Sequence, residues 1–371
     1  MEPFALEVPQ HQLDDLRDRL ARTRFPTAEP VEDWSQGLPV GYARRLRDHW
    51  LEVYDWRATE ARLNRLGQHT TRIDGVDVHL LHVRSPVADA RPLLLTHGWP
   101  GSVVEFLEVV GPLTDPQAHG GDAADAFHVV VPSLPGYGFS SVPAEPGWDV
   151  QRIADAWVTL MGRLGYVDWI AQGGDWGAAV STQIALRHPT AVAGIQLNMP
   201  IVAPPTGELT DAEQAGKDRY LQHRRWGTGY ADLQSTRPQT LGYALADSPL
   251  GQAAWIVEKF HAWTDHDGDH EQVVDRDRLL DIVMLYWLPN VAASSARLYW
   301  ESYRSVDLTP VEVPTGCSVF PREIFPASRR AVEVRYRDLR QYTEHPRGGH
   351  FAALEQPEAL IADLRRFART L

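Results

Sequence analysis

Hydrophobic and polar positions repeat with different periods along the chain, and the first part mixes helical and strand periods. Leu13, Leu16 and Leu20 follow helical spacing until Pro26, and a longer amphipathic pattern runs from about residue 42 to 66. Residues 70–73 and 76–83 alternate on either side of Asp74-Gly75, which predicts a β-hairpin. We interpret residues 1–90 as an N-terminal meander.

From residue 91 onward, short apolar runs alternate with helical patterns. The runs at residues 92–96, 127–131, 169–172 and 193–197 predict buried strands, and residues 153–164 and 178–187 predict helices. This order indicates an α/β fold with a mostly parallel central sheet, in which ligands lie at the carboxyl ends of the strands. Residues 201–308 are helical in pattern and rich in tryptophan, which predicts an inserted helical lid. A strand at 316–320 and a helix at 357–370 complete a core made of residues 91–200 and 309–371.

The composition of the chain argues against several classes of partner and binding site. The chain has 371 residues, of which 43% are hydrophobic and 23% charged, as in an ordinary globular protein. Its 36 basic and 49 acidic residues give a net charge of −13, which argues against nucleic acid or an anionic membrane as partner. A single cysteine, Cys317, excludes an intrachain disulfide and a cysteine-based metal site. Without a signal-like or membrane-length apolar stretch, we expect a cytoplasmic protein that binds no metal.

The strongest chemical signal is Gly173-Gly174-Asp175-Trp176-Gly177, which follows a predicted strand and opens a predicted helix. This pattern is typical of the nucleophile elbow of α/β-hydrolases, with an aspartate where many members have a serine. A carboxylate nucleophile is suited to attack at saturated carbon, which produces an alkyl ester on the enzyme. The simpler alternative is a glycine-rich turn whose aspartate caps a helix. The strand–turn–helix order favours the nucleophile.

Two further residues could complete a triad with Asp175. His350 follows a glycine pair and precedes the last helix, late in the chain, where these hydrolases place the histidine that activates water. His345 is the nearby alternative. Glu323 follows the strand at 316–320 and could orient the imidazole, unless it is a surface carboxylate paired with Arg322.

A loop after the first buried strand of the core is expected to stabilise an oxyanion. In this fold, one backbone N–H of that loop and the N–H of the residue after the nucleophile bind the oxyanion. The predicted donors are the N–H groups of Trp99 and Trp176, and His97 is expected to be structural.

Taken together, these motifs resemble the microsomal-type epoxide hydrolases, a branch of the α/β-hydrolase superfamily. The resemblance spans nearly the whole chain, and its combination of motifs is specific. In the core it rests on residues 97–102 (HGWPGS), 132–140 (PSLPGYGFS), 173–177 (GGDWG), 320–323 (FPRE) and 349–351 (GHF), and in the meander on residues 54–57 and 75–79. It implies an α/β-hydrolase fold with an N-terminal extension and a lid, and a triad of Asp175, Glu323 and His350.

The resemblance also implies two lid tyrosines that hold the epoxide oxygen. Residues 228–232 and 294–299 resemble the family's segments, which assigns this role to Tyr230 and Tyr299, with Tyr303 as an alternative to Tyr299. A phenol can donate a proton to the alkoxide that forms as the ring opens. Substrate contacts are expected from Trp99, Trp176 and Pro100.

The implied reaction converts a small-molecule epoxide and water to a vicinal diol without a cofactor, in detoxification or natural-product biosynthesis. Five lid tryptophans favour an apolar or aryl substrate, although ordinary packing explains them equally well: Trp226, Trp255, Trp263, Trp287 and Trp300. The family's mammalian members carry a membrane anchor, whereas this chain begins at the meander, so we expect no membrane partner. A homo-oligomer is compatible with the sequence.

Three other functions are alternatives for this fold. A haloalkane or haloacid dehalogenase also uses an elbow aspartate, but lacks the paired lid tyrosines and the N-terminal meander. A serine esterase needs a G-x-S-x-G motif, which this chain does not contain. A non-catalytic binding protein of this fold would have no need of all three triad residues.

Overall fold

The computed structural model describes all 371 residues as one α/β structure around a nine-stranded sheet. The strands are β1 (Glu2–Pro3), β2 (Gln68–Ile73), β3 (Val76–Val83), β4 (Arg91–Thr96), β5 (Phe127–Pro132), β6 (Trp169–Gly173), β7 (Val192–Leu197), β8 (Thr315–Val319) and β9 (Leu339–Glu344). The helices before the lid are α1 (Gln10–Ala21), α2 (Val40–Glu52), α3 (Trp56–Asn64), α4 (Leu107–Thr114), α5 (Val150–Arg163) and α6 (Asp175–Arg187). Those of the lid and the C-terminal part are α7 (Asp211–Trp226), α8 (Gly229–Thr236), α9 (Pro238–Asp247), α10 (Pro249–Trp263), α11 (Arg276–Trp287), α12 (Ala292–Ser302), α13 (Arg329–Arg335), α14 (Ala352–Glu355) and α15 (Pro357–Ala368).

The sheet is antiparallel at one edge and parallel through its centre. Its strand order is β1-β2-β3-β5-β4-β6-β7-β8-β9, and all pairs from β5 to β9 are parallel. The α/β-hydrolase architecture expected from the sequence is therefore present. Because the parallel strands point the same way, the residues that follow β4, β6 and β8 meet at one edge of the sheet.

The lid is the set of helices α7 to α12, inserted between β7 and β8. One continuous hydrophobic core includes residues of the sheet, the lid and helices α1 to α3. The N-terminal segment also reaches the lid through polar contacts: Tyr42 Oη lies 3.1 Å from His270 Nε2, and Tyr54 Oη donates to Asp281 Oδ1 at 2.9 Å. The N-terminal helices thus attach the lid to the rest of the molecule.

Two local expectations were wrong. The amphipathic pattern from 42 to 66 is two helices, because the chain breaks at residues 53–55 and Asp55 caps α3 by accepting from the Arg57 N–H. Val53 is 64% exposed at this break. The sequence also predicts no element between β8 and the last helix, where the structure has α13, the edge strand β9 and α14.

None of the helices has both the length and the apolar composition that crossing a membrane requires. Only α11 and α12 together meet that test of length and composition, and they are bent by 83° relative to each other.

Candidate active site

The proposed nucleophile lies on a tight turn between β6 and α6. Asp175 has φ of 48°, in the left-handed region that is strained for a residue with a side chain. Small neighbours make the turn feasible: a Cβ on Gly174 would overlap the Asn198 amide, and one on Gly177 would overlap the Thr96 carbonyl. The turn therefore needs glycine at both positions, and it presents the Asp175 carboxylate at the edge of the sheet.

The structure brings Asp175, His350 and Glu323 together. His350 Nε2 lies 3.3 Å from Asp175 Oδ2, and His350 Nδ1 lies 2.9 Å from Glu323 Oε1. The side chains of His350 and Glu323 are each 2% exposed, and that of Asp175 is 13% exposed. The Ile324 N–H also donates to Glu323 Oε1 at 2.7 Å, which fixes the carboxylate beside the imidazole. Because the Nδ1–H of His350 is donated to Glu323, Nε2 is the ring nitrogen of His350 that faces Asp175.

The two carboxylates control the charge of the imidazole. Burial alone would lower the pKa of His350, but the charge of Glu323 and hydrogen bonds to both carboxylates raise that pKa well above 6.5. His350 is therefore a cation between two anions while Asp175 is free.

The lid holds the loop that carries His350. The His350 N–H donates to the Trp263 carbonyl at 2.9 Å, and the Gly348 N–H donates to Asp265 Oδ2 at 2.8 Å. Glu355 links the same segments, since it accepts from the N–H groups of Asp265 and Phe351 at 2.7 and 2.9 Å. Burial raises the pKa of Glu355 to about 7.

One of the two predicted oxyanion donors contacts the nucleophile. The Trp99 N–H donates to Asp175 Oδ1 at 2.9 Å, whereas the Trp176 N–H makes no hydrogen bond to that carboxylate. A Cβ on Gly98 would overlap Asp175 Oδ1, so this approach depends on glycine. Pro100 follows in the same loop after a cis peptide bond and is buried.

Tyr230 and Tyr299 lie together in the lid beside Trp99. Their side chains are 7% and 2% exposed, and their rings are 5.7 Å apart. Tyr230 stacks on the Trp99 indole at 5.0 Å, and Tyr299 meets the Trp176 ring edge-on at 4.9 Å. Burial and the nearby charge of Asp175 raise the pKa of both phenols well above 10, so both are proton donors at neutral pH.

Comparison with known proteins adds an independent observation to this geometry. A family model described as the epoxide hydrolase N terminus matches residues 1–106, and one described as the alpha/beta hydrolase fold matches residues 91–232. A Stigmatella aurantiaca protein named "Putative epoxide hydrolase" is 53% identical over all of this chain and 85% of that protein. "Epoxide hydrolase 1" of Sus scrofa is 36% identical over 99% of this chain and 88% of that protein.

This chain belongs to the epoxide hydrolase family. The solved structure of Aspergillus niger epoxide hydrolase superimposes with a TM-score of 0.91 and 34% identity, covering 100% of this chain and 96% of that one. The family resemblance and the fold class predicted from the sequence are both confirmed.

Residues considered as alternatives have other partners in this epoxide hydrolase. His345 pairs with Asp363 at 2.7 Å, and Arg322 lies 3.4 Å from Asp265 rather than pairing with Glu323. Tyr303 is half-buried and accepts from Arg224 at 3.3 Å. His97 is held by backbone groups, since it accepts from the Leu134 N–H at 3.2 Å.

The five lid tryptophans differ in their surroundings. Trp263 is 1% exposed, and its ring lies 4.9 Å from His350 and 5.3 Å from Tyr230. Trp226 and Trp300 are 76% and 54% exposed, so they do not form the pocket wall that the sequence suggested. Trp255 donates to Gln234, and Trp287 lies beneath Arg19.

Sequence reasoning missed one acidic residue near the nucleophile. Glu105 lines the same cavity as Asp175 and His350, and burial raises its pKa to about 8. The signal was the capping box Ser102-x-x-Glu105, which the structure contains. No group of three or more His, Cys, Asp and Glu side chains is arranged to hold a metal ion.

Proposed function

We propose that this chain hydrolyses epoxides to vicinal diols through an alkyl ester on Asp175. In the first step, the Asp175 oxygen not held by Trp99 attacks a ring carbon and forms a new C–O bond. The ring C–O bond breaks, and its electron pair goes to the epoxide oxygen, which takes a proton from Tyr230 or Tyr299.

Before the second step, the imidazolium of His350 releases its proton through solvent to the tyrosinate left by the first step, which restores the phenol. Water then attacks the carbonyl carbon of the ester while His350 accepts one of its protons. The Trp99 N–H stabilises the oxyanion, and we assign the same role to the Trp176 N–H. The ester C–O bond then breaks, and the diol oxygen takes the proton from His350. The carboxylic acid left on residue 175 gives its proton to His350, which restores the carboxylate and the imidazolium of the free enzyme. Water and epoxide are the reactants consumed.

A single arrangement carries this proposal: a strained elbow aspartate lies beside a histidine–glutamate pair, and two buried phenols are close enough for its charge to raise their pKa. The phenols supply the proton that the epoxide oxygen needs as the ring opens. An ester substrate would not need such a proton donor. Aromatic rings of Trp99, Trp176 and Trp263 surround the tyrosines, which favours an apolar or aryl epoxide. The cytoplasmic location and the lack of membrane or nucleic-acid partners stay predictions of the sequence.

The test is intact-protein mass spectrometry of the His350→Ala variant after incubation with styrene oxide. Loss of the base blocks ester hydrolysis, so we expect the protein to gain the mass of one substrate molecule. Peptide mapping should place the added mass on Asp175. The wild-type protein should release diol and show little or no adduct at steady state.

The Asp175→Ala, His350→Ala double variant is the control, and it should gain no mass. An adduct mapped to another residue would contradict the proposal. Absence of any adduct across several epoxides, together with halide release from haloalkanes by the wild-type protein, would assign the chain to the dehalogenases instead.

A further inference from the structure

A small cavity, which we call the rear cavity, lies beside the triad. Asp175 and His350 form one wall, and Thr96, Glu105 and Gln172 form others. No residue of the lid lines this cavity. It has room for water but not for an organic substrate. The nucleophile and the base therefore both border a space that the lid does not line.

The walls of this rear cavity contain polar atoms that the protein leaves unpaired. Thr96 and Gln172 are 0% and 1% exposed, yet Thr96 Oγ1 and Gln172 Oε1 have no hydrogen-bond partner within the protein. Buried polar atoms are normally paired, and a polar cavity of sufficient size supplies the partner as ordered water.

Glu105 is the titratable group of this cavity that the proposed reaction does not use. It lies on a short 3₁₀ helix (Val103–Phe106), and its Oε1 accepts from the Ser102 N–H at 3.1 Å. A Cβ on Gly101 would overlap Oε1, so glycine at 101 makes room for the carboxyl group. This contact leaves Oε2 for the cavity.

The charge state of Glu105 suits it to hold water. Burial and the charge of Asp175 raise its pKa to about 8, against the opposing effect of His350. Near neutral pH the group is therefore mostly a neutral acid, which both donates and accepts hydrogen bonds.

We propose that the rear cavity is a water compartment separate from the substrate pocket, and that Glu105 positions in it the water that hydrolyses the alkyl-enzyme ester. This inference rests on the two-step reaction proposed above. Glu105 orients the water by hydrogen bonds and takes no net proton, since His350 accepts the proton released on attack. Water in this position reaches the ester carbon while the bound alkyl group still fills the lid side.

A matched pair of substitutions separates hydrogen bonding from packing. Glu105→Gln keeps a neutral group that can accept from Ser102 and bind water, whereas Glu105→Met keeps the length and loses both. In rapid-quench experiments, we expect Glu105→Met to slow ester decay by about 10- to 100-fold, while ester formation stays near the wild-type rate. Where decay limits turnover, kcat and KM should then fall together, and kcat/KM should hold. Glu105→Gln should restore most of the decay rate.

A second set of variants leaves Glu105 in place. Thr96→Val removes a cavity hydroxyl at constant shape, and Ala353→Met places a longer side chain among the residues that line the cavity. Both should slow ester decay without slowing ester formation. Thr182→Val is the matched control, because Thr182 is buried on α6 but lies outside the cavity. It should leave both rates unchanged.

The outcomes are distinct. Wild-type ester decay in Glu105→Met and Thr96→Val would overturn the inference and place the water on the lid side. Equal slowing of ester formation and decay in Glu105→Met, without rescue by glutamine, would show that Glu105 only holds the loop. Absence of an ester in the His350→Ala variant would instead contradict the proposed function.

Discussion

At the scale of single residues, His350 changes its role as the reaction proceeds. The charges of Glu323 and Asp175 both raise its pKa in the free enzyme. Formation of an ester on Asp175 would remove one of these charges while Glu323 remains. The pKa of His350 must then fall, so the imidazole becomes an effective base only after the nucleophile has reacted. The arrangement thereby orders the two steps.

Replacing Glu323 by glutamine tests this account. The variant loses the charge that raises the pKa of His350, so the acid limb of ester decay should move to lower pH. Loss of the orienting carboxylate should also slow decay by roughly 10²- to 10⁴-fold, as when other triads lose theirs. Single-turnover decay measured from pH 5 to 9 gives both values. An acid limb at the wild-type pH would argue against this electrostatic role.

The two lid phenols lead to a second pH prediction. Because the pKa of each is raised well above 10, both keep their protons through the alkaline range. The rate of ester formation should therefore stay level up to about pH 10, and Tyr299→Phe should lower it by roughly 10²-fold or more. Stopped-flow tryptophan fluorescence can follow this step. Tyr303→Phe is the matched control and should have a small effect.

At the scale of elements, the sequence predicts the helices, strands and turns that a local residue pattern marks. Asp74 and Gly75 adopt φ of 46° and 84° in the turn between β2 and β3, as their residue types predict. The break between α2 and α3 was missed because apolar spacing continues across it, and only the Asp55 cap marks it. Strand β9 is only partly buried and lies at the edge of the sheet, so its hydrophobic alternation is weak.

Two helical glycines should respond oppositely to substitution by alanine. At Gly162, near the end of α5, a Cβ would meet no atom within 4 Å, so Gly162→Ala should stabilise the protein by about 0.5–1 kcal/mol. At Gly177 a Cβ would overlap the backbone of β4, so Gly177→Ala should cost about 1–3 kcal/mol and displace the elbow. Urea unfolding and diol formation measure the two effects. Equal stability of both variants would contradict this packing argument.

At the scale of the whole molecule, the lid contributes directly to catalytic geometry. The Trp263 carbonyl and Asp265 hold the His350 loop, although the sequence separates these residues by more than 80 positions. The sequence was enough to predict that Asp175, Glu323 and His350 would come together, because chain order and family motifs mark them. It carried no information on which lid atoms support them, since such contacts depend on tertiary packing.

Three buried or half-buried histidines should make the protein sensitive to acid. Burial lowers the pKa of His79 to about 3 and of His261 and His270 to about 4, below the usual 6.5. The unfolded chain therefore takes up protons first as the pH falls. The contribution of these neutral histidines to the free energy of unfolding should be complete above pH 6.5 and decline progressively towards pH 4. Urea midpoints measured at pH 7 and 5 can test this decline. His270→Gln should flatten this dependence, and an unchanged slope would contradict the assignment.

The attachment of the lid by the N-terminal helices has a consequence during synthesis. Tyr42 and its partner His270 are 228 positions apart. At 5–20 residues per second, a ribosome needs roughly 11 to 46 s to make the chain between them. During that interval, helices α1 to α3 have left or are leaving the exit tunnel without the lid surface that covers them. Nascent chains of this protein should therefore bind chaperones at their apolar N-terminal helices until translation reaches the lid.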